Sequence, residues 1–188
     1  MQRKKIIAVI GNKHVEEGSI RAKMAFEVGK KLVDEGYRVQ TGGLAGVMHE
    51  VMKGCKASKN YREGDTIALI PSFDPAIASE YADIVIPTGL DAMRNALVAN
   101  ADAVVGVGGG AGTLCEYAFA WSFKRLIIAM ENTGGWSEKL AGTRLDDTVR
   151  YPEIPEDKVY SAQTVDEVAT YLRKYLDKYT TRYTGIKK

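Results

Sequence analysis

Short apolar runs that recur along the chain, each closed by a glycine or proline turn and followed by a helical stripe, restrict its fold more than any other feature. Residues 5–10, 37–41, 66–70, 84–86, 103–107 and 126–130 read as strands, because they are apolar, rich in β-branched residues and bounded by turn formers. Between them lie helical patterns. Ser19 can cap a helix whose stripe Met24, Val28, Leu32 ends at Gly36, and Val47, Val51 and Cys55 mark a second. Further helices are predicted over about 91–101 and 113–124. After the Thr133-Gly134-Gly135-Trp136 turn comes a short helix, then a polar, proline-containing segment over 142–155, and a last amphipathic helix over 164–179. Strands regularly separated by helices predict an α/β fold, a single domain over 1–188 built on a doubly wound parallel sheet with helices on both faces. Ligands then bind at the carboxyl ends of the strands.

The length suits such a domain, since 188 residues can bury about 70% of the unfolded surface without a metal or disulfide staple. Cys55 and Cys115 fall in different predicted helices and form neither a zinc spacing nor a disulfide framework, which fits a reducing cytoplasm. The net charge of +2 arises from 26 basic and 24 acidic residues spread along the chain, so no nucleic-acid partner is expected. No apolar run is long enough to span a membrane. The basic start before Ile6 reads as the approach to a first strand, not a signal peptide, and Lys187-Lys188 as a solvated end.

The chemistry concentrates in Gly108-Gly109-Gly110-Ala111-Gly112-Thr113-Leu114-Cys115-Glu116, which joins the strand at 103–107 to a helix. Strand, glycine turn and helix start in that order leave backbone N–H groups around a spot suited to an anion such as phosphate. Gly109, Gly110 and Gly112 allow a close approach, and Thr113 can cap the helix or donate its hydroxyl to the same anion. Glu116 would repel a phosphate, so it is expected to face a sugar or a reacting centre; a plain glycine turn with a solvated first-turn acid is the alternative. A second turn, Gly42-Gly43-Leu44-Ala45-Gly46, would lie on the same edge of the sheet. The first turn, Gly11 to Gly18, has only two glycines and no G-x-G-x-x-G, and no G-x-x-x-x-G-K-[ST] occurs, which argues against NAD and P-loop chemistry. Asp91 reads as a helix cap, Cys115 as a packed thiol, and His14 and His49 as isolated histidines; no metal or cofactor is expected.

Together, Thr41-Gly42-Gly43-Leu44-Ala45-Gly46-Val47-Met48, Met93-Arg94-Asn95 and the G-G-x-G-T-x-x-E run from Gly109 to Glu116 resemble the LOG or "possible lysine decarboxylase" family over about residues 4–178. The resemblance implies a Rossmann-like nucleotide-binding fold, a homodimer or higher homo-oligomer, and a small phosphorylated ligand. Some relatives of this kind hydrolyse the bond between base and ribose 5-phosphate, and others carry molybdenum cofactor without chemistry. By that resemblance Gly42, Gly43, Gly46, Gly109, Gly110, Gly112 and Thr113 hold the ligand, while Arg94 and Glu116 are the catalytic pair of a nucleoside 5′-monophosphate phosphoribohydrolase. A pyridoxal-phosphate lysine decarboxylase is rejected, since nothing marks a Schiff-base lysine. Gly108 in place of proline, Asn95 in place of lysine and His49 in place of glycine depart from the hydrolase pattern. These departures leave the phosphate grip intact and alter the surroundings of the base, which keeps a non-catalytic carrier or sensor as the competing reading.

Overall fold

A computed structural model describes residues 3–182. The strands β1 (Ile6–Gly11), β2 (Arg38–Thr41), β3 (Thr66–Ile70), β4 (Ile84–Pro87), β5 (Ala103–Val107), β6 (Leu126–Met130) and β7 (Val159–Ala162) form one sheet. Its order is β4-β3-β2-β1-β5-β6-β7 and every pairing is parallel. The sheet reverses direction of growth at β1 and β5, which leaves an open crevice beyond their carboxyl ends.

Alternation along the strands divides the core into two layers. Ile7 and Val9 of β1, with Leu126, Ile128 and Met130 of β6, face α1 (Ile20–Asp34), α2 (Val47–Lys56) and α6 (Val165–Tyr175). Ala8 and Ile10, with Ile127 and Ala129, face α3 (Asn95–Ala99), α4 (Ala111–Ser122) and α5 (Gly135–Leu140). Period-two burial of this kind is what a parallel sheet covered on both faces requires. Helix ends follow local chemistry: Ser19 accepts from Ala22 N–H at the start of α1, and Thr164 with Glu167 closes a capping box on α6.

Three expectations change. A seventh strand, β7, follows the polar segment, and its four residues pair only with β6 at the sheet edge. The helix expected over 91–101 is a 3-10 turn, Asp91–Arg94, running into the five-residue α3. Asp91 has φ +47 and makes no capping bond, so it shapes this turn instead of capping a helix. Lys187 and Lys188 lie outside the described residues. Among the described residues no helix is long and apolar enough to cross a membrane.

Candidate functional site

Three chain reversals at the carboxyl ends of β1, β2 and β5 meet around a cavity of about 320 Å3, the size of a small-ligand site. Asn12, directly after β1, ties them together. Its side-chain oxygen accepts from Gly109 N–H at 2.6 Å, and its carbonyl accepts from Val47 N–H at 2.9 Å, at the start of α2. Gly46 caps α2 with φ +67, and a side chain there would collide with the carbonyls of Asn12 and Lys13. Only glycine fits where the two loops cross.

On the β5 side, Gly110, Gly112 and Thr113 line the cavity, and no side chain caps the start of α4. First-turn N–H groups without a capping side chain are available to an anion. Thr113 does not cap; it is buried and donates its hydroxyl to the Gly11 carbonyl at 3.1 Å, which pins α4 to β1. Gly109 lies outside the lining. Its N–H is committed to Asn12, its carbonyl accepts from Trp136 N–H, and its φ of +105 holds the turn itself. Gly42 lines the opposite wall. Gly43 is turned away, so that a side chain there would meet Ile70 and Ala68 of β3.

Arg94 and Glu116 are brought together across the cavity wall. Both are buried, and Arg94 Nη1 donates to Glu116 Oε1 at 3.2 Å and to Asn95 Oδ1 at 3.0 Å. The guanidinium lies flat where a Cβ on residue 42 would have to be, so the glycine makes room for the arginine. Arg94 Nε is buried without a partner, which leaves the group with donor capacity to spare. Burial pushes the Glu116 carboxyl up to about 7, the Arg94 charge opposing this without overcoming it, and burial lowers the Arg94 pKa as well.

This shift has a sign that can be measured. Folded protein retains a proton on Glu116 that the unfolded chain, with a carboxyl near 4.5, releases. The Glu116 contribution to stability therefore falls as pH rises from about 4.5 to 7 and is level above that, by at most about 3 kcal/mol. Urea unfolding of wild type and Glu116→Gln across this range, in phosphate-free buffer, is expected to show the slope only in wild type. A slope retained in the variant would assign it to another group.

Lys13, His14, Leu44 and Met48 also line the cavity, though none is among the site residues expected from the sequence, which reads His14 as an isolated histidine and Leu44 and Met48 only as motif positions. The available signal was position, since Lys13 and His14 follow the end of the central strand, where an open α/β sheet binds its ligands. Cys115 is exposed, not packed. The buried face of α4 runs through Thr113, Glu116, Tyr117 and Ala120, and position 115 lies off it.

The sequence profile of the SLOG cluster4 family matches residues 4–168. An uncharacterised protein of Archaeoglobus fulgidus is 35% identical over 126 residues, 66% of this chain and 79% of that one. Among solved structures, the protein TM1055 superposes with a TM-score of 0.76 at 26% identity, covering 90% of this chain and 99% of that one. The molybdenum cofactor carrier protein of Chlamydomonas reinhardtii superposes with a TM-score of 0.73 at 30% identity, covering 93% and 99%.

Proposed function

The chain belongs to the SLOG cluster4 family, and from that premise we propose that it binds and carries a small phosphorylated ligand in the cavity beyond β1 and β5. The observation that carries this reading is the uncapped start of α4 opening into the same cavity as Lys13. Amides of the first helical turn and a lysine ammonium together suit a phosphate group. Gly110, Gly112 and Thr113 take the phosphate, the spare donors of Arg94 orient the rest of the ligand, and Leu44 and Met48 supply an apolar surface for a flat ring. Gly46 and Gly109 act one step back, by keeping the loops in place.

Molybdenum cofactor, a phosphate-bearing pterin, matches this pattern, and the Chlamydomonas reinhardtii protein of similar structure is a carrier of it. In a direct test, purified protein would be mixed with cofactor released from a molybdoenzyme and desalted, and the retained molybdenum would be measured by mass spectrometry. Near-stoichiometric retention is expected. Retention no greater than on an unrelated protein would dispose of this ligand.

One observation favours hydrolysis of an N-glycosidic bond as a second reading: a carboxyl titrating near neutral pH in the cavity wall could serve as acid or base. Against it, Glu116 is held by Arg94, and among the described residues lining the cavity it is the one carboxylate. Incubation with purine and pyrimidine nucleoside monophosphates separates the readings. A carrier releases no free base, and its Glu116→Gln variant keeps or gains affinity for the anion as a nearby negative charge disappears. A hydrolase releases base, and the same variant loses about 10²–10⁴ in rate.

A further inference from the structure

Arg21, in the first turn of α1, reaches across to the turns that follow β5 and β6. Its Nε donates to the Thr133 carbonyl at 2.9 Å, which is the one hydrogen bond its side chain makes among the described residues, and no carboxylate pairs with it. Two glycines make room for the group. A Cβ on Gly108 would sit 2.4 Å from Arg21 Nε, and one on Gly134 would sit 3.1 Å from Nη2. Both have positive φ, +65 and +70, and so does Gly135 at +63, where a Cβ would strike the Gly109 carbonyl. The two turns therefore lie backbone against backbone, Trp136 N–H donating to the Gly109 carbonyl and Ser137 N–H to the Gly108 carbonyl. Thr133 is fixed in turn, since its hydroxyl accepts from Gly108 N–H and donates to the Met130 carbonyl.

An arginine that only tied α1 to this turn would need Nε alone. The rest of its planar fork, on Nη1 and Nη2, has no protein acceptor. Arg21 lines, with His14, Val15, Glu16 and Ser19, a groove of about 490 Å3, and His14 also lines the ligand cavity, so the two spaces meet there. Sheet order gives the pair a direction. Leu44 and Met48 lie beyond β2, the start of α4 lies beyond β5, and Arg21 is anchored beyond β6. Across the strand ends β2-β1-β5-β6, an apolar surface, an anion site and a free guanidinium thus follow in line. Gly108, against Arg21, and Gly110, in the cavity lining, are two residues apart, so their Cα atoms are separated by at most about 7 Å.

We propose that Arg21 binds a second phosphate of the ligand, which makes the ligand a diphosphate. Its ring lies toward Leu44 and Met48, its first phosphate at the start of α4 and its second against Arg21 Nη1 and Nη2. A guanidinium fork matches two phosphate oxygens, and a neighbouring phosphate of the same molecule is within its reach. Glu16 also lines the groove, but it is exposed, and salt screens its repulsion. This assignment rests on the reading that the start of α4 takes a phosphate, and it narrows the class of ligand.

Titration calorimetry with inorganic phosphate, pyrophosphate, AMP and ADP, at about 0.15 M salt, is the test. Wild type is expected to prefer pyrophosphate to phosphate, and ADP to AMP, by about 10-fold to 100-fold, and Arg21→Gln should bring both preferences close to one with AMP affinity within about threefold of wild type. The inorganic pair reads the phosphate sites whatever ring the cavity takes. Lys23→Gln removes the same charge from an exposed position on α1 and should keep the wild-type preference. Each preference is a ratio within one protein, so a smaller folded fraction in a variant cancels. AMP and ADP bound equally well by wild type would overturn the second phosphate site and leave the first standing. A preference that survives Arg21→Gln, or that falls as far in Lys23→Gln, would do the same. Binding of none of the probes would overturn both this assignment and the reading on which it rests.

Discussion

Gly110→Val is expected to lower affinity for inorganic phosphate and for a nucleoside monophosphate by about 100-fold or more while the protein remains folded. Residue 110 has φ −104, which valine accepts, and a Cβ there meets no protein atom within 4 Å, so the added side chain points into open space. Gly110 lines the cavity at the start of α4, so the valine is expected to crowd an anion bound there. Hydrogen bonds to a charged group contribute about 1.5–3 kcal/mol each, and a valine that keeps the anion from two amides removes enough for such a loss. The folding cost should be about 1 kcal/mol, because valine is a poorer N-cap than glycine. Titration calorimetry reads the affinity and urea unfolding the stability. Unchanged phosphate affinity would take the α4 start out of the site. The same substitution at Gly109 could not decide this, because its φ of +105 and its contact with Thr113 would strain the fold first.

Gly54→Ala should act almost wholly on stability. In an exposed helix this change gains about 1 kcal/mol from backbone propensity. Here α1 and α2 cross in backbone contact: a methyl at Gly54 would overlap the Phe26 carbonyl, and one at Gly29 would overlap the Val51 carbonyl. A carbonyl inside a helix cannot swing aside as a side chain can, so the two helices must separate and loosen Val28, Leu32, Val51 and Cys55 between them and the sheet. Overpacking of this kind costs about 1–3 kcal/mol and at times more, so a net loss of about 2 kcal/mol is expected after the propensity gain. An equal or higher midpoint of thermal unfolding would show that the helices do not touch in this way. Since α2 begins beside Asn12, phosphate affinity measured well below the midpoint should change far less than in Gly110→Val.

The fold was largely legible because a parallel sheet covered on both faces prints itself locally. Continuous apolar runs at residues 6–10, 103–107 and 126–130 had to be buried strands, and the glycine turns behind them had to fall at one end of the sheet. β7 escaped because Val-Tyr-Ser-Ala, interrupted by Ser161, forms no continuous apolar run, and its pairing with β6 is what makes it a strand. The helix expected over 91–101 shows the opposite case: its composition allows a helix, while the chain bends at Asp91 and Arg94 is buried.

For the site, local sequence determined which turns gather at the strand ends and where Glu116 stands behind the β5–α4 glycines, while Arg94 entered only through the family resemblance. Those properties depend on neighbours within a few positions, which is the range over which a sequence states its own structure. Division of labour among the residues came only from tertiary contact. Gly109 lost its free amide to Asn12, Gly43 turned to β3, Thr113 spent its hydroxyl on Gly11, and Lys13 and His14 entered the cavity. Glu116 met Arg94 although 22 positions separate them, at a buried place where desolvation raises the carboxyl pKa against the opposing pull of the arginine. Glycines 29 and 54 were silent in the sequence for the same reason. What makes each indispensable is a carbonyl on another helix, and only packing brings that carbonyl within reach.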